Sequence, residues 1–143
     1  MTEIKIGGRV LPLSYTAFEM IEIQKQIGCT AFQLKDEVFG IRQEDEDDPQ
    51  SIRIDVIKDP ERLEKMGKLI AVLANAGLEE NGQEPDVTYK WVLRNMKPSL
   101  ILSYAIATMS EIANGNMMEA KAEENGPVDE GLEEERAKKQ PGN

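Results

Sequence analysis

Pro98-Ser-Leu-Ile-Leu-Ser-Tyr-Ala-Ile-Ala-Thr-Met-Ser-Glu-Ile-Ala113 is the stretch that decides how this chain must fold. Its one charge is Glu111, and apolar side chains fall on nearly every side of the helix it would form. Such a helix is either buried among other helices or sits in a membrane. At about 1.5 Å rise per residue it is too short for a bilayer core, which takes roughly 20 apolar residues. The rest of the chain, or a second copy of it, must therefore cover it.

The 143 residues suit one domain with its own core. A net charge of -10 opposes binding to nucleic-acid phosphates and to anionic membrane surfaces, and keeps the chain solvated. One Cys permits no internal disulfide, and Met-Thr-Glu-Ile-Lys-Ile6 has no signal-peptide apolar region, so the cytoplasm is the expected compartment. Aromatic residues make up only 5 %, which leaves the core to aliphatic, Ala and Met side chains. Seven Met residues fill core gaps or add adaptable contact surface.

Outward from the opening stretch, each boundary has a local cause. Ile4 and Ile6 alternate with charges, Gly7-Gly8 is a two-residue turn, and Val10-Leu-Pro-Leu13 resumes the apolar run, giving a β-hairpin whose second strand ends near Pro12. Thr16-Ala-Phe-Glu19 is a capping box and Gly28 a stop, so a helix with Phe18, Ile21, Met20 and Ile27 inward is predicted between them. Thr30-Ala-Phe-Gln33 repeats the box for a short helix carrying Phe32, Leu34, Val38 and Phe39 up to Gly40. Cys29, in a chain without His, reads as a small buried hydrophobe. Glu44-Asp-Glu-Asp-Asp48 is a like-charge run expected to be a solvated loop, and Pro49-Gln50 breaks any calcium-loop pattern. Ile52, Ile54 and Val56 have strand period and are a candidate third strand, over 52–57, for the hairpin sheet.

Asp59-Pro60-Glu61 unites an N-cap, a Pro at N1 and an acid in the first turn. Leu63, Met66, Ile70 and Leu73 follow at helical spacing, Gly67, Ala71 and Ala74 form a small-residue stripe for a close neighbour, and Gly77 is the predicted end. Asp86 or Thr88 caps a helix with Trp91, Val92 and Met96 in line, and Pro98 starts the opening stretch. Beyond Gly115, Met117 and Met118 extend it. Ala120 to Asn143 has almost no large apolar side chains and is expected to be a disordered acidic tail. The resulting fold is mainly α: about four to five helices with an N-terminal β-hairpin over 1–118, and the tail over 119–143.

Catalytic chemistry finds no footing. No His and one Cys exclude the usual zinc sites and His-paired nucleophiles, and the carboxylates sit in loops and tail where burial would not raise their pKa. No catalytic, cofactor or metal residue is assigned, and no enzyme is expected.

Three stretches carry a resemblance: Ile6-Gly-Gly-Arg-Val-Leu-Pro-Leu-Ser-Tyr-Thr-Ala-Phe-Glu19, Gly67-Lys-Leu-Ile-Ala-Val-Leu-Ala-Asn-Ala-Gly77, and Trp91-Val-Leu-Arg-Asn-Met-Lys-Pro-Ser-Leu-Ile-Leu-Ser-Tyr-Ala-Ile106 with its continuation through Ile112. They resemble tail assembly chaperones of long-tailed phages and prophages of low-GC Gram-positive bacteria, over roughly Ile4 to Met118. The resemblance implies a non-catalytic factor of the host cytoplasm, not retained in the virion. It would coat the tape measure protein and keep it soluble until tail tube subunits assemble around it. A longer product of ribosomal frameshifting would recruit the tube subunits. Lys138-Lys139 marks where an A-rich slippery run would lie, the alternative being a basic tail end.

For that role the candidate partner-binding residues are Trp91, Met96, Ile106, Met109, Met117 and Met118, lining an apolar groove between helices 59–77 and 98–113 or a self-association surface. Trp91 alternatively anchors the core. Rival readings are an acidic DNA mimic, which requires regularly spaced surface carboxylates, and a helical regulatory or antitoxin-like protein.

Overall fold

A computed structural model of the chain describes residues 2–43, 45, 47–48 and 51–125; for Gln43, Ile52 and residues 116–125 it describes the backbone alone. Among these residues the fold is mainly α, with an N-terminal antiparallel hairpin. Strands β1 (Glu3–Ile6) and β2 (Arg9–Pro12) pair with Ile4 opposite Leu11 and Ile6 opposite Arg9. Gly7 and Gly8 make the turn at φ 57° and 81°, the left-handed pair that matches strand twist in a two-residue hairpin. Ile4, Ile6, Leu11 and Leu13 are buried on one face, and β2 ends at Pro12 as its missing N–H requires.

Helix α1 (Ala17–Ile27) starts on the expected capping box: Glu19 Oε1 accepts from Thr16 N at 2.8 Å and from Thr16 Oγ1 at 2.5 Å. That box also sets the helix's rotation. It holds Glu19 inward, so the buried side is Glu19, Ile23 and Ile27, at i, i+4 and i+8. The inward placement expected for Phe18 and Ile21 is therefore corrected, for both are exposed. The Thr30 box opens a 3-10 turn, Ala31–Gln33, followed by a π-helical turn, Lys35–Phe39. Three residues per turn put Ala31 and Leu34 on the same inner side and leave Phe32 between them, 71 % exposed rather than packed. Leu34, Val38 and Phe39 are buried as expected, and so is Cys29, whose thiol pKa burial pushes up.

The strand read at 52–56 exists as β4 (Ile52–Ile54), but its partner is β3 (Ile41–Gln43), in a second two-stranded sheet separate from the hairpin. Pairing across the short connection closes a smaller loop than reaching back to β1 or β2, and so costs less entropy. Of the acidic run, Asp45, Asp47 and Asp48 are exposed, with Ser51 Oγ donating to Asp48 O at 2.7 Å; Glu44, Glu46, Pro49 and Gln50 lie outside the described residues. Asp55, in the 3-10 turn Asp55–Lys58, pairs with Arg42 and sits 3.4 Å from Arg53 Nε.

Helix α2 (Pro60–Glu80) is the centre of the fold, packing against α1, β2, the Lys35–Phe39 and Asp55–Lys58 turns, and α3 (Tyr89–Asn95). Asp59 caps it by accepting from Glu61 N at 3.1 Å and Arg62 N at 3.5 Å. Met66, Leu69, Ile70 and Leu73 are fully buried, each contributing about 1.5–3 kcal/mol by transfer from water. The predicted stop at Gly77 is not a stop. The helix runs on to Glu80, and Gly77 is a contact: a Cβ there would lie 2.0 Å from the Pro12 carbonyl oxygen. Ser14 N donates to Leu73 O at 3.1 Å beside it, so the strand's exit lies directly on the helix. Gly67 serves the small-residue stripe as expected, with Leu93 of α3 against it.

Thr88 caps α3, accepting from Trp91 N at 3.1 Å, and Pro98 opens a 3-10 turn, Pro98–Leu100, that leads into α4 (Ile101–Asn125). The chain's contacts divide it after Ile112. In the second part the described residues are the α4 backbone of 113–125, so the helix passes the expected domain end at 118; residues 126–143 of the expected tail lie outside the described residues.

Two outcomes test these contacts. Gly77→Ala should destabilise the protein by about 1–3 kcal/mol through overpacking, although helix propensity alone would favour Ala by about 1 kcal/mol. Gly67→Ala, opposed only by a movable Leu93 side chain, should be much milder in the same urea titration. The Arg42 hydrogen bond, with the Arg53 and Arg62 charges, holds the Asp55 carboxyl below its ordinary value. The unfolded chain then takes up the proton first, so this pair's stabilisation is present above about pH 3.9 and is lost as pH falls through the lower folded value. Asp55→Asn should flatten that part of the acid unfolding curve.

Candidate partner-binding surfaces

The opening stretch buries one side only. Ile101, Tyr104, Ala105, Thr108 and Ile112 face the core at helical spacing, and Thr108 satisfies its hydroxyl within the helix by donating to Tyr104 O at 3.0 Å and Ala105 O at 2.9 Å. The expectation of cover all round is corrected on the opposite side, where Leu102 is 42 % and Ile106 55 % exposed. Ser99, Ser103 and Ser110 are exposed there too, and Met109 is half-buried. From Pro98 to Ser110 the sequence holds no charge, so this outer stripe is apolar and uncharged. The apolar side of α2 that the expected α2–α4 groove would have used is buried in the core.

The six residues singled out from sequence separate accordingly. Ile106 and Met109 lie one turn apart on α4, with Ile106 exposed. Met96 is a core residue rather than a contact surface, since Pro98 turns the chain just after it and leaves it buried with Val92. Trp91 is half-buried, with the Arg9 guanidinium 5.5 Å from its ring centroid and Arg9 in turn 3.2 Å from Asp86. Its ring is thus engaged within the fold by a cation–π contact. The side chains of Met117 and Met118 lie outside the described residues.

A second surface went unread in the sequence. Between α1 and α2 runs a hollow of about 570 Å³, lined also by Val87–Lys90. Its floor is Ala71, Val72 and Ala76 of α2 with Val87, and Phe18 of α1 stands at its edge, 61 % exposed. Asn75 fixes that segment with two hydrogen bonds to one backbone unit: its Nδ2 donates to Val87 O at 2.8 Å and its Oδ1 accepts from Val87 N at 2.9 Å. A smaller hollow of about 330 Å³ shares Phe18, Glu19, Ala76 and Glu79 and adds Glu80. The signal that could have revealed it was Lys25: the register Phe18, Ile21, Lys25 breaks on a charge, whereas Glu19, Ile23, Ile27 ends apolar and is the side that packs.

Among the described residues no group of three or more His, Cys, Asp or Glu side chains is placed to hold a metal ion, and no helix is long and apolar enough to cross a membrane. No known protein family matches the chain, and neither does any curated protein or solved structure.

If the outer α4 stripe is surface rather than core, Leu102→Glu and Ile106→Glu should each change stability by no more than about 0.5 kcal/mol. Ala105→Glu, on the buried side of the same helix, should unfold the protein. Thermal melts of the three variants check the assignment.

Proposed function

We propose that this chain is a non-catalytic tail assembly chaperone of long-tailed phages or prophages, which holds the tape measure protein soluble in the host cytoplasm and is absent from the finished virion. The observation that carries the reading is the exposed, uncharged apolar pair Leu102 and Ile106, flanked by half-buried Met109, on a chain with a net charge of -10. The resemblance of Ile4–Met118 to such chaperones supports it as well.

The two properties together suit the task. A long amphipathic helix aggregates through its apolar face, and a bound apolar stripe removes that face from water at about 25 cal/mol per Å². Each stripe is small, and the costs of association consume much of its gain, so a single contact is weak. Many copies along one long helix still cover it, and weak contacts let polymerising tube subunits displace them. The acidic exterior then keeps the coated assembly apart from others of its kind. The tube subunits would be recruited by a longer, frameshifted form, and the stripe also permits association between copies of the chain.

Co-expression with a tape measure fragment tests the reading. The fragment should move from the pellet to the soluble fraction and co-purify with this chain, and Ile106→Glu with Leu102→Glu should return it to the pellet. A fragment equally soluble with the double variant would remove the stripe from the mechanism. At the nucleotide level, a slippery heptamer at the Lys138-Lys139 codons with an overlapping downstream frame is expected.

A further inference from the structure

The α4 stripe carries no charge, whereas the hollow between α1 and α2 is edged mainly by carboxylates. Glu22 and Glu79 line it, Glu80 lines its extension, and Lys90 is the one cation on its walls. Glu79 and Glu80 are exposed and form no ion pair among the described residues. Their charge is therefore open to a visitor, while the floor below is small and apolar.

We propose that the α1–α2 groove is a docking site for a cationic amphipathic helix, which sets one or two large apolar side chains on Ala71, Val72 and Ala76 and aligns Lys or Arg with Glu22, Glu79 and Glu80. This deepens the proposed function and rests on it in taking the occupant to be a helical segment of the chaperone's partner; its basic character is read from Glu22, Glu79 and Glu80. Three features select a helix. The groove contains no strand edge, so an extended segment would find no backbone ladder over the apolar floor, whereas a helix pairs its own N–H and C=O groups. The Ala side chains let a helix approach closely, as small residues do at helix crossings. Phe18 then closes over the inserted side chain, and its large exposed ring is of the type that anchors interfaces once desolvated. The carboxylates supply sign: they speed encounter with a cationic partner and reject an anionic one, including another copy of this acidic chain.

The test uses the whole protein and two labelled peptides of about 18 residues, each Leu on one face, with Lys on the other face in the first and Glu in the second. The Leu/Lys peptide should bind and shift the amide signals of Phe18, Val72 and Ala76. The Leu/Glu peptide should bind at least about tenfold more weakly, and Glu79→Lys with Glu80→Lys should weaken the Leu/Lys peptide by a similar factor. Leu102→Glu with Ile106→Glu should remove any binding at the α4 stripe and leave the Phe18, Val72 and Ala76 shifts in place. Equal binding of the two peptides, full binding to the charge-reversed protein, or signal changes confined to α4 would overturn the proposal. A tape measure fragment kept soluble by the wild-type chain while the Leu/Lys peptide fails to bind overturns the groove and leaves the chaperone reading in place. A bound peptide beside an insoluble fragment does the reverse.

Discussion

Everything in the folded part of the chain depends on how closely the backbone leaving β2 lies on α2. The Pro12 carbonyl rests where a side chain at position 77 would be, and the Ser14 amide is satisfied by the Leu73 carbonyl of the same helix. A strand held this near cannot rotate, so Leu11 and Leu13 are fixed in the core and the hairpin's apolar side faces inward. Gly77 makes the approach possible, and its cost in helix propensity is the smaller of the two effects. With β2 set, the Thr16 capping box begins α1 at a defined angle, and α1 returns along α2.

The boundaries of that architecture were readable because each has a local chemical cause. Gly7-Gly8, the Thr16 and Asp59 caps and Pro98 act over three or four residues, and they act in the folded protein as they would in a peptide. What was not readable depends on residues distant in sequence. Gly77 looks like a helix stop until Pro12 is brought against it. Ile52–Ile54 has the pattern of a strand, but pattern does not name a partner. Helical spacing alone turns Phe18 and Ile21 inward, yet the capping box fixes which side of α1 faces the core and leaves both outside, as the 3-10 turn leaves Phe32. The candidate site shows the same division. Ile106 stands on an exposed helix face, Met109 is half-buried beside it against the core, and Met96 is buried, distinctions that packing alone makes. The α1–α2 groove needed both helices and the Asn75 clamp on Val87 to exist at all.

The two open surfaces differ in what they can discriminate. An uncharged helix stripe accepts any apolar face of suitable shape, which gives breadth and little selectivity. A groove with an apolar floor and carboxylates on its walls selects by charge as well as by size.

Thr2 N donates to Glu111 Oε1 at 3.2 Å, and Leu13 N donates to Thr2 O at 2.8 Å. The start of β1 is thus tied to α4 across nearly the whole folded part of the chain. Closing the fold therefore joins residues 109 positions apart, a long loop whose closure costs entropy. A hydrogen bond to the one carboxylate of the opening stretch closes that loop, so the hairpin is held to α4 as well as to α2.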